Sequence, residues 1–219
     1  MKHQPVIRFL ALALTGALVA CGDPKSANKG NFTTAIDAIL KTENPLCYIV
    51  STQAFPLVIR KDGQFAYGSS LPQLNALVKA GVLSAKDSQK SKNYEGIGGA
   101  ENSNVAAIEF SVTPSGQTAY KEKMEPNEKW PQGGAGFCLG SAEVSKIVDF
   151  TEPTVEQGGT ISQIQYIYKV KTAESWAQTP EIKKTFPDFA KAEEEGSPGK
   201  IKLERGVKGW RESRFNPAH

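Results

Sequence analysis

The chain opens on an apolar run, Phe9 to Ala17, preceded by Lys2, His3 and Arg8 and free of acidic residues. The run is far shorter than the roughly 20 apolar residues of a spanning helix, so the pattern predicts a cleaved export signal over residues 1–20. Gly22 to Gly30 is small, polar and without period, which predicts that residues 21–30 form a flexible tether. Asn31 then caps a helix to about Lys41, with Phe32, Ile36, Ile39 and Leu40 on one face. Asn44-Pro45 stops it. Cys47 to Val50 and Pro56 to Arg60 read as short strands, the second entering a Lys61-Asp62-Gly63 turn from which Gln64 to Tyr67 pair back.

A fuller helix signal follows. Ser70 stands at the N-cap, Pro72 in the first turn, Leu71, Leu74, Leu77 and Val78 on the stripe, and Gly81 just beyond. Ser84 to Asn104, rich in Ser, Lys, Asn and Gly, reads as an exposed loop, and its Gly96-Ile97-Gly98-Gly99 lacks the strand before and the Gly-Lys-Ser/Thr after that a phosphate loop needs. Val105 to Val112 alternates, with Ala106, Ile108, Phe110 and Val112 on one face, and Thr113 to Gly116 turns the chain.

Met124 to Gly136, rich in Pro and Gly and holding Trp130-Pro131, divides the chain. After it come a strand at Gly136 to Gly140 and another at Val144 to Thr151, with Val144, Val148 and Phe150 on one side. The longest strand, Thr160 to Lys171, sets Ile164, Tyr166, Tyr168 and Val170 against a wet face of Gln163, Gln165, Lys169 and Lys171. Ser175 to Ala177 and Pro180 to Phe186 read as helical turns closed by Pro187, and Lys191 to Glu195 finishes a solvated helix. Lys200 to Arg205 and Val207 to Arg211 form a last strand pair, with Trp210 entering the sheet and a frayed tail from Asn216. The expected class is α+β: an antiparallel sheet with several short helices. Residues 31–123 form an N-terminal α+β part, helix-rich, and residues 124–219 an antiparallel β-rich part sharing its core.

Leu18-Val19-Ala20-Cys21 resembles the lipobox of bacterial lipoproteins. The resemblance implies that the Cys21 thiol takes a diacylglycerol, that the chain is cut before it, and that the new amino group is acylated. At about 0.8 kcal/mol per buried methylene, three acyl chains make such an anchor effectively permanent. In the sorting rule of enteric-type bacteria an Asp directly after the cysteine retains the protein in the inner membrane. Here Gly22 follows and Asp23 comes next, which favours the periplasmic face of the outer membrane.

With Cys21 committed to lipid, Cys47 and Cys138 remain as an even pair in an oxidising compartment, and a disulfide is the economical reading. The two histidines are His3, in the leader, and His219, the last residue of the sequence. Ser-His-Asp and Cys-His catalysis and His-containing zinc sites need an imidazole held by structure, so they are excluded, and no metal or cofactor is expected. Lys2 and Arg8 leave with the signal, and the nearly neutral remainder gives no electrostatic case for nucleic acid.

Two further resemblances bear on fold. Leu74 to Leu83 (LNALVKAGVL), with Phe110 to Gly116 (FSVTPSG), is similar to the helix, wing strand and turn of winged-helix regulators, and implies a local winged-helix-like segment. Phe137 to Gly140, Ile147 to Thr151 with Pro153, Tyr166 to Tyr168, Trp176-Ala177 with Pro180-Glu181, Phe186-Pro187 and Gly209 to Arg211 together resemble a family of uncharacterised proteobacterial envelope lipoproteins. Their motifs are aromatic and turn residues, so they imply fold and supply no activity.

The function expected is that of a lipid-anchored cell-envelope protein of non-catalytic binding type: an inhibitor, an immunity factor or an assembly adaptor for another envelope protein. Its suspected surface is Ser84 to Asn104 with Met124 to Gly136. Two alternatives stand beside it. One is a glycan-acting enzyme using carboxylates such as Glu109, Asp149 and Glu152. The other is a lipid or small-ligand carrier lined by Phe150, Tyr166 and Tyr168.

Overall fold

Helix α1 (Lys29–Thr42) starts where the Asn28 side chain accepts a hydrogen bond from the Asn31 N–H at 2.9 Å, three residues earlier than its periodicity suggests. The computed structural model describes residues 23–61, 70–91, 104–156 and 158–214. The leader, Cys21, the Asp62 to Tyr67 turn and return strand, the Gly96 to Gly99 stretch and the tail from Asn216 lie outside them.

In chain order α1 is followed by β1 (Cys47–Ser51), β2 (Leu57–Arg60), α2 (Leu71–Lys79), β3 (Leu83–Ser91), β4 (Asn104–Val112) and β5 (Tyr120–Met124). Then come β6 (Gly134–Cys138), β7 (Gly140–Phe150), β8 (Thr154–Glu156) and β9 (Gly159–Ala173). A 3₁₀ turn at Ser175–Gln178 leads to α3 (Pro180–Thr185), α4 (Pro187–Glu194), β10 (Ser197–Arg205) and β11 (Trp210–Glu212). The class is α+β, with every strand pairing antiparallel. Among the described residues the longer helices α1 and α2, of 14 and 9 residues, lie in the first part and the shorter α3 and α4, of 6 and 8, in the second.

Among the described residues three sheets form, in the orders β1-β6-β5, β11-β10-β9-β7 with β8 also on β9, and β2-β4-β3. β6 lies between β1 and β5, so the first sheet is built from both halves of the chain. One hydrophobic cluster likewise runs from Phe32 to Trp210. The inner face of β9 buries Ile164 and Tyr166 while Gln163, Gln165 and Lys169 stay in water, as its alternation requires. α1 and α4 pack on the sheet that contains β9.

Several expectations change. Ser84 to Ser91 is strand rather than loop: it pairs with β4 from Leu83 opposite Val112 to Ser91 opposite Asn104. A polar strand gives no alternation to read, because it is held by its neighbour's backbone. β2 also takes β4 as its partner. β4 is therefore central and partly covered on both faces, with Phe110 and Ala107 buried on opposite sides and Ala106 exposed. In β7 the register slips between Ser141 and Ala142, Val144 and Lys146, and Ile147 and Asp149. Each bulge shifts the phase, so Ile147 is buried and Val148 is 46% exposed. Pro187 opens α4 instead of closing a turn, since a proline at the first helical position costs no hydrogen bond. The end of the expected tether is also held, because the Ser26 carbonyl accepts from the Trp210 indole N–H at 3.1 Å. α2 followed by the β3–β4 hairpin is the order behind the winged-helix resemblance, an order many folds share.

Among the described residues no helix is long and apolar enough to cross a membrane.

Candidate functional site

Four segments distant in sequence meet around a cleft of about 220 Å³. β1 supplies Cys47 and Tyr48, α2 supplies Gln73, the loop after β5 supplies Lys129 and Trp130, and the α3–α4 junction supplies Phe186 and Asp188. Cys47 is fixed by its disulfide to Cys138, its register partner on β6. Tyr48 and Phe186 pack with ring centroids 5.2 Å apart. Phe186 is buried while Trp130 keeps part of its surface open.

The loop is closed by its own hydrogen bonds. Asn127 and Trp130 exchange backbone N–H and carbonyl bonds at 3.1 Å each, and the Asn127 side-chain oxygen accepts from the Trp130 N–H at 2.9 Å. Gly133 donates to the Trp130 carbonyl at 2.9 Å, at a φ of 68° that favours glycine.

Gln73 is the unusual member. It stands one helical turn before Leu77 on the buried face of α2, and only 9% of its surface is exposed. Among the described residues its Oε1 has no hydrogen-bond partner. An unmet buried acceptor costs about 1–3 kcal/mol, a cost that a ligand donating an N–H or O–H removes.

Burial pushes the Tyr48 phenol well above its ordinary value, with further contributions from the charge of Asp188 and from Tyr168. Tyr48 is therefore a neutral hydroxyl at any physiological pH, able to donate or accept. Behind it, burial also raises Tyr168, partly offset by its hydrogen bond with Ser197 and reinforced by Asp188. The Tyr166 phenol is pushed up to about 12, by burial first and then by Tyr168, Glu212 and Glu43. The native state keeps this proton after an unfolded tyrosine, at 10.0, has released it. Stability from Tyr166 is thus complete below pH 10 and lost as pH rises toward about 12. Urea midpoints measured across that range should fall, and Tyr166→Phe should flatten part of the fall.

An aromatic wall, one open acceptor and rim groups of both signs suit recognition of a polar or aromatic group. The volume is below the roughly 300–1,000 Å³ of drug-sized pockets, which fits one or two side chains of a partner better than a free cofactor. Among the described residues no group of three or more His, Cys, Asp or Glu is placed to hold a metal ion.

The residues singled out from sequence fall elsewhere. Glu109 lies on β4, 2.8 Å from the Lys86 ammonium. Asp149 and Glu152 are exposed, on and just after β7 in a different sheet. Tyr166 and Phe150 belong to the packed core, with Phe150 5.0 Å from Phe32. Of the suspected surface, Ser84 to Ser91 is strand, residues 92–103 lie outside the described residues, and the Trp130 segment does line the cleft. Sequence reasoning passed over Gln73, whose signal was a polar residue on the apolar stripe of α2. Tyr48, Phe186 and Asp188 carried none. Comparison with protein-family models, with curated proteins and with solved structures found no match for this chain, winged-helix proteins included.

Proposed function

We propose that this protein is a lipid-anchored envelope lipoprotein that binds another protein through the cleft around Gln73 and Trp130, without catalysing a reaction. The observation that carries the reading is the cleft's composition: a buried Gln73 oxygen with no hydrogen-bond partner among the described residues, beside Tyr48, Trp130 and Phe186. Aromatic anchors around a desolvated polar group, with Tyr48 and Trp130 partly exposed, are the usual makings of a binding hot spot. The lipobox-like Leu18 to Cys21 supports the anchor, and Gly22 supports outer-membrane sorting.

Two measurements test this. In intact cells a photo-crosslinking residue at Lys129 should capture one envelope protein that the same residue at exposed Lys200 does not. Equal capture from both positions removes the cleft from the reading. Cys21→Ala should release the protein from the membrane fraction and abolish incorporation of labelled palmitate. Retention of either would remove the lipid anchor.

A further inference from the structure

The described chain begins two residues after Cys21, and those two residues reach at most about 7 Å. The anchor point is therefore confined to the neighbourhood of Asp23. That neighbourhood is fixed. The carbonyls of Asp23 and Ser26 both accept from the Asn31 side-chain amide at 2.9 Å, and the Trp210 indole holds Ser26 as well. The Pro24 carbonyl lies 3.3 Å from where a Cβ on Gly209 would sit, so the segment abuts the turn joining β10 to β11.

This turn is closed by the Gly206 N–H donating to the Gly209 carbonyl at 2.7 Å, and it presents Val207, 87% exposed, followed by exposed Lys208. The adjacent rows continue the same end of the sheet. Trp210 faces Arg205, Arg205 donates to the Thr160 hydroxyl at 3.3 Å, and Thr160 faces Val155, which is 80% exposed. Of the three exposed large hydrophobic residues described, two thus stand at the end of the sheet where the anchor emerges; the third, Val148, is on β7.

The charges agree with this. Lys25, Arg205 and Lys208 are exposed here. Of the acids nearby, Glu204 pairs with Arg211 at 3.4 Å and Glu156 with Lys202 at 3.5 Å, while Asp23, which accepts from the Lys25 backbone N–H at 2.9 Å, keeps its charge against the three cations.

We propose that this turn end of the five-stranded sheet docks on the membrane. Val155 and Val207 enter the boundary between headgroups and acyl chains, while Lys25, Arg205 and Lys208 face anionic phospholipid. Two valines and three cations bind a bilayer weakly by themselves, but an anchor within two residues keeps them at high effective concentration, so they orient the protein rather than recruit it. The proposal rests on acylation of Cys21. It also places the cleft: α1, 14 residues and about 21 Å long, runs from this end toward β1, so the cleft lies toward the other end of that helix from the bilayer.

The test uses the full acylated chain in vesicles of phosphatidylethanolamine and phosphatidylglycerol, with a polarity-sensitive fluorophore on Val207→Cys, Val155→Cys or Val148→Cys. Fluorophores at 207 and 155 should shift to the blue and be quenched by lipids brominated in their chains. Quenching of these two by aqueous iodide should be at least about threefold weaker than at 148. Equal iodide quenching at all three sites, in protein whose mass carries the acyl chains, overturns the docking face alone. A mass without acyl chains overturns the anchor and this proposal with it.

Discussion

Replacing Phe32 with alanine is expected to cost about 3–5 kcal/mol, a fifth or more of the roughly 5–15 kcal/mol that holds a domain of this size. Phe32 is completely buried and meets Phe150 at 5.0 Å and Trp210 at 4.9 Å, both edge-on. It thereby joins the first helix to β7 on one edge of the five-stranded sheet and to β11 on the other. Truncation leaves a cavity that two rings and a helix backbone cannot close together, which is why the cost belongs at the upper end for a core substitution. Urea unfolding should show a lower midpoint with an unchanged slope. A loss below about 1 kcal/mol would mean that α1 is not held by this cluster. Phe32→Leu, which retains most of the volume, should cost clearly less.

Removing the disulfide should have an effect of similar size for a different reason. Cys47 and Cys138 are 91 residues apart, and bridging them withdraws about 4.5 kcal/mol of chain entropy from the unfolded state in the loop-closure treatment. The double variant Cys47→Ser with Cys138→Ser should lower the urea midpoint, and reductant should do the same to the native protein. Because the bridge joins register partners on β1 and β6, the native pairing persists in the variant until the sheet itself unfolds. An unchanged midpoint after reduction would show that the sheet already holds these strands in the unfolded ensemble. Cys47 also lines the cleft, so the variant should weaken partner capture from Lys129 even under conditions where it is folded.

Much of the local structure is written in the order of residues. β9 declares itself because one face of a long strand is buried and the other wet. α2 does so because Leu71, Leu74 and Leu77 recur at helical spacing between Ser70 and Gly81, which adopts a φ of 79°. The cysteine pair and the burial of Trp210 follow from residue chemistry and hydrophobicity in the same way.

What the chain order leaves open has a common cause. β3 is a strand because β4 offers it a backbone ladder, and its own polar side chains do not show it. Bulges in β7 moved Val148 to the surface by shifting pairings that no local period records. The cleft needs Tyr48, Gln73, Trp130 and Phe186 to meet, and the proposed docking end needs Val155 and Val207 to stand at one end of the five-stranded sheet. By itself the sequence determined the class, the principal helices and strands, and the pairing of its cysteines, because these rest on periodicity within about a dozen residues and on residue chemistry. The tertiary structure alone decided strand partners, bulge phase and the two candidate surfaces, because each depends on contacts between segments tens of residues apart.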